Sequence, residues 1–168
     1  MTSFFSWLFK SKKAETAAAP TVSPLDYDSL ISLDAEALAE QGISEAYEGI
    51  LPELGKYVDC PAQMEEVMDS EMTSYTIRCG DDSYGIYAPE LDDTEGGAWG
   101  RAAYALFAII NKQLDHAPVR FYAINGGNDL GGLFLTPEQA GKAQATLPRK
   151  SDWPYIPEPD APWFGMHH

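Results

Sequence analysis

Apolar positions recur at helical spacing in two stretches of the chain. Over residues 33–57 the spacing predicts two short helices, with Gly42 between them and Pro52 ending or kinking the second. Over residues 99–114 it predicts one helix about four turns long, and additional alanines make its second face apolar as well. We therefore expect an N-terminal helical layer and a central helix that is buried on most sides.

Alternation of apolar and polar residues predicts four strands in two hairpins. Residues 75–79 and 84–88 alternate on either side of a polar turn, and residues 119–124 and 133–135 flank a glycine-rich loop. Helices and hairpins then follow one another in the order helices, hairpin, helix, hairpin, helix. This order predicts an α+β fold, in which an antiparallel sheet of about four strands packs on the central helix.

The remaining elements are short. Thr136 as an N-cap, with Gln139 three residues later, is typical of a capping box and predicts a helix through about Leu147. Residues 63–68 are interpreted as one helical turn. The proline-rich and aromatic tail, residues 148–168, is expected to lie extended over the domain, anchored by its rings.

The chain divides at about residue 24. Residues 14–24 contain small residues and two prolines without apolar periodicity, so we interpret 1–24 as an N-terminal segment with a linker and 25–168 as a single α+β domain. The apolar run before the linker is too short for a membrane span and is followed by lysines. It predicts weak contact with a membrane or with a groove on a partner, through Phe4, Phe5, Trp7, Leu8 and Phe9.

Charge changes this picture, because it is large and unevenly distributed. The chain has 26 acidic and 11 basic residues and a net charge of -15, which argues against nucleic acid as a partner. Residues 25–100 contain 19 acidic and two basic residues, whereas residues 101–168 contain six of each. The sequence therefore predicts one strongly negative face.

A negative face attracts a basic protein partner and accelerates association with it. The leading hypothesis is a non-catalytic, acidic binding protein, for example an inhibitor or a protein of the type that confers immunity to a toxin. The likeness to immunity proteins is one of size and charge only. The residues predicted to contact the partner are Asp81, Asp82, Asp92, Asp93, Glu95, Tyr47 and Tyr57.

Two alternatives remain open. The glycine-rich loop 125–132 presents polar groups beside flexible backbone, so an enzyme or small-ligand-binding domain is a second hypothesis. Its predicted ligand-binding residues are Asn125, Asn128, Asp129 and Arg101. A peripheral membrane adaptor tethered by residues 4–9 is the third hypothesis.

Catalytic signals are weak. The chain contains no CxxC, HExxH or GxSxG motif, and its two cysteines, Cys60 and Cys79, are too few for a disulfide scaffold. The acidic loops lack the spacing of a calcium-binding loop. We therefore assign no catalytic residue, no metal ligand and no cofactor, favour a protein that is not an enzyme, and expect a cytoplasmic location, peripheral to a membrane if the N-terminal segment attaches there.

Overall fold

The computed structural model describes residues 23–69, 71, 73–91 and 95–159. In this part of the chain the regular elements, in chain order, are β1 (Ile31–Ser32), α1 (Ala35–Ala37), α2 (Ile43–Leu54), β2 (Met64–Asp69), β3 (Ser74–Cys79), β4 (Asp82–Tyr87), α3 (Glu95–Gln113), β5 (Arg120–Ile124), β6 (Gly131–Leu135) and α4 (Pro137–Thr146). The mixture of helices with antiparallel strands confirms the predicted α+β class.

The strands form two sheets, which differs from the single sheet of about four strands that the sequence predicts. Sheet A has the order β1-β6-β5 and sheet B has the order β2-β3-β4. The two predicted hairpins are both present, but β3–β4 belongs to sheet B and β5–β6 belongs to sheet A. Each hairpin gains a third antiparallel strand, β1 or β2, that the sequence analysis did not predict.

The helical layer is interrupted where the sequence predicts. The Asp34 carboxylate caps α1 by accepting two backbone N–H groups, and the chain continues through a wide turn, Leu38–Gly42. Gln41 in this turn has a φ of 73°, so the helical path breaks there and α2 begins after Gly42. Pro52 lies within the last turn of α2.

Sheet A is covered on both of its faces. On one face the Phe121 ring stacks on Phe107 of α3 and contacts Phe134, with 4.7 Å between ring centroids in each pair. On the other face Leu133 and Leu135 are buried in a second apolar cluster with residues of α4. The sheet is thus sandwiched between α3 and α4.

Sheet B has only one buried face. Tyr75 and Ile77 of β3 are fully buried with residues of α2 and α3, while the intervening Thr76 is half-buried and Arg78 is exposed. Because side chains alternate across a strand, the opposite face of the sheet consists mainly of polar residues exposed to solvent. Sheet B therefore has one face exposed to solvent, whereas both faces of sheet A are covered.

The described part of the tail lies on sheet A. After a 3₁₀ turn, Lys150–Asp152, the backbone of Tyr155 pairs with Ala123 at the edge of β5, with N···O distances of 2.7 and 3.0 Å. The Trp153 ring nitrogen donates to the Leu147 carbonyl oxygen at 3.0 Å. The predicted aromatic anchors beyond residue 159 fall outside the described residues.

Candidate functional site

The acidic stretch of sequence folds into elements that pack on one another. Residues 25–69 contain 12 acidic residues and one basic residue, Lys56, which forms an ion pair with Glu53 at 2.7 Å. This stretch supplies α1, α2 and β2, and α2 packs against β2. We define the α2–β2 surface by the exposed carboxylates of these two elements: Glu45, Glu48, Glu65 and Asp69.

A groove of about 400 Å³ lies between α2 and the residues that lead into β2. Leu51, Pro61 and Met64 supply apolar surface, and the exposed Glu48 is also part of the lining. A groove of this kind offers burial to an apolar stem and a partner to a positive charge. We call it the α2–β2 groove; its lining residues are Ser44, Tyr47, Glu48, Leu51, Pro61, Ala62, Gln63 and Met64.

Three elements fix the shape of the α2–β2 groove through one hydrogen-bond network. The Tyr47 hydroxyl of α2 donates to the Ala62 carbonyl oxygen at 2.8 Å. Gln113, at the end of α3, donates to the Tyr47 hydroxyl and accepts from the Ala62 backbone N–H at 2.7 Å. Burial raises the pKa of Tyr47, so its hydroxyl stays protonated and able to donate at neutral pH.

Glu66 joins β2 to the beginning of α2. Its Oε1 atom accepts from the Ser44 backbone N–H at 3.0 Å and from the Tyr75 hydroxyl at 2.6 Å. Since Gly42 precedes α2 and has no side chain to cap it, the carboxylate of a distant strand satisfies an N–H group of the first turn. Burial raises the pKa of Tyr75, and the hydrogen bond to Glu66 raises it further. Glu66 therefore fixes β2 to the beginning of α2 at Ser44, which lines the α2–β2 groove.

The predicted partner-contacting residues are dispersed. Tyr47 is buried, with 4% of its surface exposed, and reaches the groove only as part of its lining. Tyr57 is 38% exposed and stacks on Phe134 of sheet A at 5.5 Å. Asp81 is exposed in the turn between β3 and β4, and Asp82 pairs with Lys112 of α3 at 2.5 Å. Asp92, Asp93 and the side chain of Glu95 fall outside the described residues.

The predicted ligand-binding residues make contacts to several parts of the protein. Arg101 donates from Nε to the Ile86 carbonyl oxygen of β4 at 2.6 Å. The Asn125 carbonyl oxygen accepts from the Tyr155 hydroxyl at 2.8 Å, Asn128 donates to Glu36 at 3.1 Å, and Asp129 is exposed. Of these four, Asn128 lines a second groove, of about 480 Å³, between α1 and α2.

Two glycines of the predicted ligand loop have a packing role. A Cβ atom at Gly132 would overlap the ring of Phe121, and one at Gly131 would meet the side chain of Leu30. Both positions lie in β6, so the absence of a side chain allows its neighbours to pack closely on the strand. Close packing around sheet A therefore explains Gly131 and Gly132, two of the glycines that suggested a ligand loop.

Metal and thiol chemistry find little support in the described ranges. No group of three or more His, Cys, Asp or Glu side chains is placed to hold a metal ion among residues 23–69, 71, 73–91 and 95–159. Burial raises the pKa of the Cys79 thiol, which disfavours the nucleophilic thiolate. None of the described helices combines the length and apolar character needed to cross a bilayer. Residues 4–9, the predicted tether, fall outside the described residues.

The sequence analysis missed Glu48, Glu65 and Glu66 as site residues. A period-two reading of residues 64–69 places Met64, Glu66 and Met68 on one face of a strand, and that signal was available. The helical interpretation of residues 63–68 concealed it. Glu48 carries no local signal, because only the packing of α2 on β2 brings it to a groove.

Comparisons with protein families, with curated proteins and with solved structures identify no match to this chain.

Proposed function

We propose that the protein is a non-catalytic binding protein that engages a basic protein partner through the α2–β2 surface, as an inhibitor or an immunity-type protein does. The observation that carries this proposal is the α2–β2 groove. Its apolar lining and the exposed Glu48 lie together within a stretch of 12 acidic residues and one basic residue. A lysine or arginine side chain matches both parts, because it buries its methylene groups while its charge stays in water.

Charge and apolar burial have different roles in this proposal. An exposed ion pair contributes only about 0–1 kcal/mol, so a pair with Glu48 supplies little affinity by itself. Burial of the partner's side chain against Leu51 and Met64 supplies the affinity. The net charge accelerates the encounter with a basic partner by roughly tenfold to a thousandfold and rejects acidic competitors.

The test begins with affinity capture from the native cell and continues with titration of the purified partner. Wild type, Glu48→Lys and Glu138→Lys are compared at low and at physiological salt. Glu138 is exposed on α4, in the half of the chain whose charges balance, so its reversal is a matched control for net charge. Because Glu48→Lys replaces a weak attraction with a weak repulsion, we expect it to weaken binding about fivefold, Glu138→Lys to change it less than twofold, and wild-type affinity to fall as salt rises.

Binding that does not respond to salt contradicts the proposal, as does an equal loss of affinity in both variants. A chain lacking residues 1–24 is captured in parallel. Retention of the partner by this truncated chain is expected, because the α2–β2 surface is intact in it. Loss of the partner on truncation assigns binding to the N-terminal segment instead.

A further inference from the structure

The outer edge of β2 is open in the described part of the molecule. β2 pairs with β3 on one side, over residues 64–69, and has no strand on its other side. Alternate residues of an edge strand direct their backbone N–H and C=O groups away from the sheet. Within the described ranges, no other element donates to or accepts from the backbone of residues 64–68.

Two of the other sheet edges, those of β4 and β5, receive hydrogen bonds from groups outside their sheets. At the edge of β5, the Asn111 side chain both donates to and accepts from the Phe121 backbone at 2.8 Å, and the Tyr155 backbone pairs with Ala123. At the edge of β4, Arg101 donates to the Ile86 carbonyl oxygen at 2.6 Å. Within the described residues, the outer edge of β2 thus differs from those of β4 and β5 in receiving no hydrogen bond from another element.

The side chains on the two sides of β2 determine which kind of segment can pair with its edge. Glu65 is exposed on the solvent-facing side of β2, while Met68, 52% exposed, lies on the opposite side with Met64 and Glu66. A second copy of this chain, paired edge to edge, would place Glu65 beside an acidic strand, and like charges at that distance repel. A strand carrying lysine or arginine relieves the repulsion and supplies the missing backbone partners.

We infer that the partner adds an extended, basic segment to the edge of β2, as the fourth strand of sheet B. This inference rests on the proposed function and names the part of the partner that binds. Strand addition of this kind obtains affinity from main-chain hydrogen bonds and specificity from alternate side chains.

The register along β2 defines the chemistry of the added strand. A residue beside Met64 lies at the entrance of the α2–β2 groove, where a long basic side chain reaches Glu48. A residue beside Glu65 is basic and lies on the solvent-facing side. A residue beside Met68 is apolar, because it covers the exposed thioether. The inferred motif is therefore two consecutive basic residues, followed or preceded at a short distance by an apolar one.

The test uses the full chain, labelled with ¹⁵N, and a synthetic ten-residue lysine–valine peptide, in which two consecutive lysines are separated from a valine by two threonines. A second peptide has the same sequence but is N-methylated at every internal residue, so it keeps its charge and loses its backbone donors. We expect the first peptide to shift the amide signals of residues 64–68, with the β4 amides unchanged. The N-methylated peptide is expected to bind at least tenfold more weakly.

Protein variants separate the edge from the net charge. Glu65→Lys is expected to lower the affinity for the lysine–valine peptide about tenfold. Glu138→Lys is expected to leave this affinity within twofold of the wild-type value. Equal affinity of the two peptides, or shifts outside β2, overturns strand addition but leaves the proposed function intact. Failure of the lysine–valine peptide to bind also overturns strand addition, and the captured partner's response to salt and to Glu48→Lys then decides the proposed function separately.

Discussion

Sheet A and sheet B each consist of three antiparallel strands, but their surroundings differ. Helices cover both faces of sheet A, and the Asn111 side chain and the Tyr155 backbone occupy its β5 edge. Sheet B has helices on one face only, and its β2 edge is open within the described residues. Under the proposed function the two sheets have different roles: sheet A supplies stability, and sheet B, with α2, supplies the surface for binding.

The charge of the chain follows the same division. Residues 101–168, which contain β5, β6 and α4, have equal numbers of acidic and basic residues. Residues 25–100, which contain α2 and sheet B, have 19 acidic and two basic residues. Self-repulsion among like charges destabilises a compact state, so charge is better tolerated on a sheet with one solvent-exposed face than around a sheet covered on both faces.

The largest expected effect concerns the aromatic stack of sheet A. Phe121→Ala removes a ring that lies 4.7 Å from both Phe107 and Phe134 and has no exposed surface. We expect it to lower the free energy of unfolding by about 4 kcal/mol, measured by urea denaturation. Ser83→Ala, exposed in sheet B, is the control and is expected to change stability by less than about 1 kcal/mol. Similar losses in both variants would contradict the packing role of the Phe121 ring.

The second-largest loss of stability is expected at Gly132 of β6. Gly132→Ala places a Cβ atom against the Phe121 ring, so the stack must shift, and we expect a loss of about 2 kcal/mol. Gly141→Ala in α4 meets no atom within 4 Å and is the matched control. Its alanine favours the helix and is expected to raise stability by about 0.5–1 kcal/mol in the same denaturation assay. A neutral Gly132→Ala contradicts the packing explanation of that glycine.

A smaller effect is expected where sheet B meets α2. Glu66→Ala removes the acceptor of the Ser44 N–H and of the Tyr75 hydroxyl, and we expect stability to fall by about 1–2 kcal/mol. Glu66→Gln keeps an acceptor oxygen and is expected to lose less. Glu65→Ala, at the exposed neighbour, is the control for charge removal from β2. A loss at Glu65 equal to that at Glu66 would show that charge, rather than the two hydrogen bonds, determines the result.

The smallest change in stability is expected at Glu48, which the proposed function places in the binding surface. Glu48→Lys is expected to change the free energy of unfolding by less than about 0.5 kcal/mol, because the side chain is exposed and has no ion-pair partner in the described residues. The measurement is urea denaturation beside the binding titration. A change in binding without a change in stability locates the role of Glu48 in recognition, whereas a large stability change would place it in the fold.

Elements with local signals were predictable from the sequence. The capping box of Thr136 and Gln139 is formed in both directions, and α4 begins at the predicted residue. The continuous apolar periodicity around Leu106 and Ile110 predicted α3, and both residues are fully buried. In each case the residues that determine the element lie within one or two helical turns of each other.

Elements that depend on distant pairing were not predictable. Residues 64–69 contain two consecutive glutamates, which favour a helix locally, but six cross-strand pairs with β3 make them a strand. β1 has only two residues and pairs with β6, far along the chain, so no local pattern marks it. The separation into two sheets follows from these two strands. It also determines the α2–β2 groove, which is why the sequence indicated an acidic face but not the groove.

The pairing of β1 with β6 has a consequence for how the chain acquires its structure. Ile31 and Ser32 find their partners only when Gly131 and Gly132 are available, so a nascent polypeptide emerging from the ribosome cannot complete sheet A until most of it has been synthesised. The strands of sheet B follow one another in the chain, so they can pair as soon as β4 has been synthesised. We expect repulsion among the carboxylates of residues 25–100 to hinder aggregation of chains in which sheet A is still incomplete.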